Sequence, residues 1–90
     1  MSRFTFRTDD DSEEFFTAIA EEMVAVFGIS EDEAIARINY QFDGQAMVGS
    51  DNVIYSEPED FWARDLMYGH HTFWWRDEDA ATPLPFPPTA

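Results

Sequence analysis

Asp65 is the carboxylate whose neighbours could most readily give it chemistry, because on a helical wheel it falls between Phe61 and Trp62, among apolar groups. No second carboxylate or histidine stands at a spacing that would make it half of a dyad, so pairing with an arginine or a hydroxyl is the ordinary expectation. His70 and His71, the only histidines, are adjacent. Neighbouring side chains point to opposite sides of a strand or roughly 100° apart on a helix, which is poor spacing for zinc. Asp9, Asp11 and Glu13 alternate like calcium-loop ligands, yet the glycine such a loop requires is missing and its closing glutamate position falls on Ala20. Loose attraction of divalent cations is the most this run implies.

Four glycines scattered singly build no phosphate-binding loop, and no nucleophile elbow or Ser/His/Asp order is present. The absence of cysteine removes disulfides, thiolate metal sites and a cysteine nucleophile. These readings assign no catalytic, cofactor-binding or metal-ligating residue and no cofactor. A non-enzymatic role is therefore expected.

Charge points to partners instead. Nineteen Asp and Glu stand against five Arg and no Lys among ninety residues, for a formal charge of −14. Such a surface repels nucleic acid and anionic lipid, and it attracts cationic surfaces at rates that fall with salt. The expected partner is a basic protein, a toxin, a nuclease or a nucleic-acid-binding complex, with no nucleic acid or membrane among the partners. No apolar run approaches a membrane span, and the first seven residues lack the apolar stretch of a signal peptide, so a cytoplasmic location is expected. Arginine used to the exclusion of lysine hints at a bacterial or phage genome.

The elements that must position these groups can be read from local signals. Phe4 and Phe6 alternate with Arg3, Thr5 and Arg7, which predicts a short first strand. Polar cap formers and acids from Thr8 to Glu14 predict a helix from about Ser12 to Phe27, with Phe15, Phe16, Ile19, Met23, Val26 and Phe27 on its apolar stripe. Gly28 suits a left-handed C-cap, and Ser30 with Glu33 makes a capping box for a helix over Glu31 to Phe42. Its apolar side is Ala34, Ile35, Ile38 and Phe42, and Glu33 and Arg37 form an i,i+4 pair. Ala46-Met47-Val48 and Val53-Ile54-Tyr55 flank Gly49 to Asn52 as a hairpin would. Ser56-Glu57-Pro58-Glu59 opens a third helix over about Glu57 to Tyr68, ended by Gly69, with Asp60 and Arg64 as an exposed pair. His71 to Arg76 reads as a last strand, although three successive aromatics cannot all face one side.

The expected fold is α+β, with about three helices packed on a small antiparallel sheet and a proline-rich extended C-terminal tail. Residues 1–82 form the single acidic domain and 83–90 the tail. Phe61-Trp62-Ala63 and Phe73-Trp74-Trp75 read first as core, while Trp62 and Trp74 are also candidate interface anchors. Glu14 and Glu21 lie two turns apart on one helix face, with Asp9, Asp10, Asp11 and Glu13 ahead of them and Glu31 and Asp32 beyond. If the first two helices are antiparallel neighbours, these acids make a continuous negative ridge for a partner. The small, acidic, cysteine-free and aromatic character is similar to that of bacterial immunity proteins and phage-encoded inhibitors, a likeness of composition that no motif carries. It implies a stoichiometric inhibitor of immunity or antitoxin type. The alternatives are a nucleic-acid-mimic inhibitor of a host defence complex, and a housekeeping accessory subunit or small enzyme.

Overall fold

In the computed structural model, which describes residues 2–87, local capping chemistry sets the helices. Helix α1 spans Asp10–Phe27: the Asp9 carboxylate accepts from Ser12 N at 2.9 Å, and Gly28 closes the other end at φ 70°. Helix α2 spans Glu31–Phe42, where Ser30 Oγ accepts from Glu33 N at 3.0 Å. Glu33 does not complete the capping box, because its carboxylate accepts from Arg37 Nε at 2.9 Å. Helix α3 spans Glu59–Tyr68, starting after Pro58 with no side-chain cap. Ser56 belongs to the turn before it, donating to Val53 O.

The expected antiparallel sheet is not there. The protein is mostly helical, and its sheet is a parallel two-residue ladder of β1 (Arg7–Thr8) and β2 (Ala46–Met47), in the register Arg7 to Ala46 and Thr8 to Met47. The hairpin fails because Asn52 competes for its backbone. Its side chain accepts from Ile54 N at 2.9 Å and donates to Gly49 O at 2.6 Å, which starts a 3-10 turn over Val53–Ser56. The last strand fails for want of a neighbour. Residues His70–Thr72, Trp74–Arg76 and Glu78–Ala80 instead close three short 3-10 turns. The Phe4 and Phe6 alternation survives, since both rings are buried, although only Arg7–Thr8 is ladder. Beside it, Asn39 of α2 acts as a substitute strand, accepting from Thr5 N at 2.9 Å and donating to Arg3 O at 3.2 Å.

The core lies where the helices meet. Phe16 of α1 stands 4.9 Å from Phe6 and 5.2 Å from Phe42 of α2, ring centre to ring centre, and Phe4 adds a fourth ring. Ile19, Met23, Ile38, Ile54 and Met67 fill the rest and are buried completely or nearly so. Removing each such side chain from water is worth about 1.5 to 3 kcal/mol. Of the expected α1 stripe, Phe15 and Phe27 are half-buried and Val26 is exposed. Contacts fix the helix directions. Phe42 meets Phe16 near the start of α1, so α2 runs antiparallel to α1, whereas Arg64 reaches Glu22 and Tyr68 reaches Phe27, so α3 runs parallel to α1.

The tail is tied down at Leu84. Its N–H donates to Met67 O at 2.7 Å, satisfying a carbonyl that the end of α3 leaves open, and its own carbonyl accepts from Arg37 Nη2 at 2.7 Å. Phe86 covers the Arg37 guanidinium and meets Tyr40 edge to face. The tail therefore lies across α2 and α3 as far as it is described; Pro88 to Ala90 fall outside the described residues.

Candidate functional site

Because α1 and α3 are parallel, their acidic first turns share one end of the molecule. Asp10, Asp11 and Glu13 open α1, and Glu59 and Asp60 open α3. Carboxylates are stabilised there by the positive ends of both helix dipoles. Asp11 and Glu14 face Glu59 across a shallow depression floored by Phe15 and Ala18. Among the described residues, no arginine lies within 4.0 Å of Asp10, Asp11, Glu13, Glu14 or Glu59.

Asp9 has a different task from its neighbours. Its second carboxylate oxygen accepts from Gly49 N at 2.7 Å, so the residue joins the start of α1 to the loop after β2. The hydrogen bond from Gly49, followed by those from Ser12, holds its carboxyl below the ordinary range. The ridge expected over both helices is interrupted at Arg3, whose guanidinium bonds Glu31 and, at 3.2 Å, Thr17 Oγ1. Glu21 and Glu31 line a groove of about 260 Å³ together with that arginine. Asp32 stays exposed at the start of α2. The structure thus gathers Asp10, Asp11, Glu13 and Glu14, adds Glu59, and separates Asp9 and Glu31 by giving each a bound partner.

Trp62 and Trp74 lie within the fold. Trp62 is half-buried, donates from Nε1 to Ile54 O at 2.7 Å and stands between Phe42 and Phe61. Trp74 is 7% exposed, and its Nε1 donates to Asp65 Oδ1 at 2.9 Å. The same oxygen meets His70 Nδ1 at 3.1 Å. Asp65 is thus satisfied by an indole and an imidazole rather than by an arginine or a hydroxyl, and it orients both. Arg64 does not pair with the Asp60 carboxylate but donates to its backbone carbonyl at 3.1 Å and to Glu78 at 3.0 Å. Glu78 also accepts from the Tyr68 hydroxyl, and burial followed by that carboxylate pushes the phenol above its ordinary pKa.

Among the described residues the exposed aromatics are Tyr40, Tyr55, Phe73 and Trp75, and the last two, at 50% and 44%, adjoin each other. Phe73 adopts φ 52°, a left-handed backbone rare for a bulky residue, and so turns its ring outward. Trp75 packs on the His70 ring at 5.2 Å and against Phe73 at 5.5 Å. Beside them, Thr72, Phe73, Trp74, Arg76 and Asp77 line an open groove of about 570 Å³. Sequence reasoning missed this face, although the run Phe73-Trp74-Trp75 carried the signal that at least one ring had to meet something else. Among the described residues, no three His, Cys, Asp or Glu side chains are arranged to hold a metal ion, and no helix is long and apolar enough to cross a membrane.

No protein-family model, curated protein or solved structure matches this chain. The geometry alone describes it, as a small acidic three-helix domain with one carboxylate-rich end and one exposed aromatic face.

Proposed function

We propose that this protein is a non-enzymatic acidic protein-binding module, a stoichiometric inhibitor of immunity or antitoxin type that blocks a basic nuclease or toxin domain in the cytoplasm. The observation that carries the reading is the shared end of α1 and α3. There Asp11, Glu14 and Glu59 surround a partly apolar depression with, among the described residues, no arginine within 4.0 Å of them. Carboxylates arranged this way repel one another until a cationic surface arrives, and their field speeds the encounter.

Affinity capture from the host lysate, at low and high ionic strength, tests the proposal. A basic nuclease or toxin retained in low salt and released in high salt is expected, and its activity should fall to zero at one equivalent of this protein. Neutralising Asp11, Glu14 and Glu59 together should slow association by about tenfold or more at low salt while the fold is retained. Retention of no basic protein at low salt would overturn the reading.

A further inference from the structure

Resting on the reading that the partner is basic, we infer that the Phe73 and Trp75 face takes an arginine-bearing segment of that partner, with the Arg side chain stacked on Phe73 and turned toward Asp77. The chain already shows the interaction it would make. Its own Arg76 guanidinium lies 4.9 Å from the centre of the Phe73 ring, so that ring is a cation platform occupied internally by a placeholder. Phe73 is held outward by a left-handed backbone, whereas the next ring in the chain, Trp74, is buried. The groove beside it, about 570 Å³, has room for a side chain and counts Asp77 among its lining residues. Asp77 and Asp79 are exposed with no arginine within 4.0 Å among the described residues, whereas Glu78 is held by Arg64. A planar guanidinium satisfies both demands at once, stacking on an aromatic face while donating in its own plane to a carboxylate. A lysine ammonium satisfies them less well.

The test titrates the isotope-labelled full chain with a glycine–serine peptide carrying spaced arginines, and with the same peptide carrying lysines, followed by amide and indole NMR shifts at low salt. The Trp75 indole and the amides from Thr72 to Thr82 should move, and the arginine peptide should bind about two- to fivefold more tightly than the lysine peptide. Phe73→Gly should weaken the arginine peptide by about three- to tenfold without lowering the melting temperature, because glycine adopts the left-handed backbone freely. Arg76→Ala should strengthen binding by vacating the ring, and by more than Arg7→Ala, which removes an equal charge from β1. Shifts confined to the first turns of α1 and α3 would overturn this inference and leave the charge-based proposal standing. No shift anywhere would overturn both. Shifts at Phe73 that follow protein concentration without peptide would show that a second copy of the chain fills the face, and would also overturn it.

Discussion

Replacing Trp62 with alanine should unfold this protein at a markedly lower temperature, because the indole joins three elements at once. Its ring packs against Phe42 of α2 from its place in α3, and its Nε1 supports the carbonyl of Ile54 in the Val53–Ser56 turn. Truncating a buried Trp costs about 3 to 5 kcal/mol, and partial exposure puts this one at the low end. The lost bond adds about 1 kcal/mol or more, since Ile54 is fully buried and its carbonyl loses its indole donor. A domain of this size has only about 5 to 13 kcal/mol of stability in total, so the loss is a third of it or more. At about 4 to 8 °C per kcal/mol, the melting temperature should fall by more than 12 °C. Trp62→Phe keeps most of the ring and isolates the hydrogen bond, with an expected fall of about 5 to 15 °C. Circular dichroism melts and urea titrations read both variants. A Trp62→Ala protein melting within about 2 °C of the parent would refute the reasoning. It would return Trp62 to the role of an interface anchor.

Three further outcomes follow from the same geometry. Ending the chain at Thr82 removes both Leu84 hydrogen bonds and uncovers Arg37, and should lower the melting temperature by about 10 °C; an unchanged melt would show that the tail does not support the domain. Asp9 has a depressed carboxyl pKa in the folded chain, so the stability it supplies is fully present above its ordinary value of 3.8 and vanishes as pH falls through the lower folded value. Asp9→Asn should therefore be less stable than the parent at neutral pH, with the difference shrinking as urea titrations are carried into that acid range, and a constant difference would contradict the assignment. Neutralising Asp11, Glu14 and Glu59 should raise the melting temperature in low salt, with the gain fading at about 0.5 M salt.

The helices were legible because their signals are local. Gly28, Ser30 and Gly69 mark boundaries through capping and left-handed backbone, and α2 has the limits those residues predict. The sheet was not, since a strand exists only if another segment offers it hydrogen bonds. Phe4 to Arg7 alternates correctly but is served mainly by Asn39, thirty-odd residues away, and Asn52 diverts the expected hairpin into a turn. Arg37 reads from the sequence only as half of an i,i+4 pair with Glu33, because nothing nearby in sequence announces that Leu84 and Phe86 will cover it. The candidate site divides the same way. The acids of α1 could be listed from composition, but the arrival of Glu59 beside them and of Arg3 beside Glu31 depends on packing. Which of Phe73, Trp74 and Trp75 turns outward depends on one left-handed residue and three 3-10 turns.

The acidic residues do two kinds of work, and the structure separates them. Asp9 caps a helix, Glu33 holds Arg37, Glu31 holds Arg3, and Glu78 gathers Arg64 and Tyr68. All of these are interactions within the fold. The first turns of α1 and α3 are different, because a helix dipole supplies the equivalent of only about half a positive charge at its start. Three acids stand in the first turn of α1 and two in that of α3, and the two helix starts adjoin. The dipoles cannot offset that much negative charge, so the remainder destabilises the free protein. A cationic partner would remove the repulsion and be bound more tightly for it. Stability and affinity should accordingly respond in opposite directions when Asp11, Glu14 and Glu59 are neutralised, the melting temperature rising as partner association slows. Acids serving only solubility would change the first without the second, and acids serving only the fold would lower both.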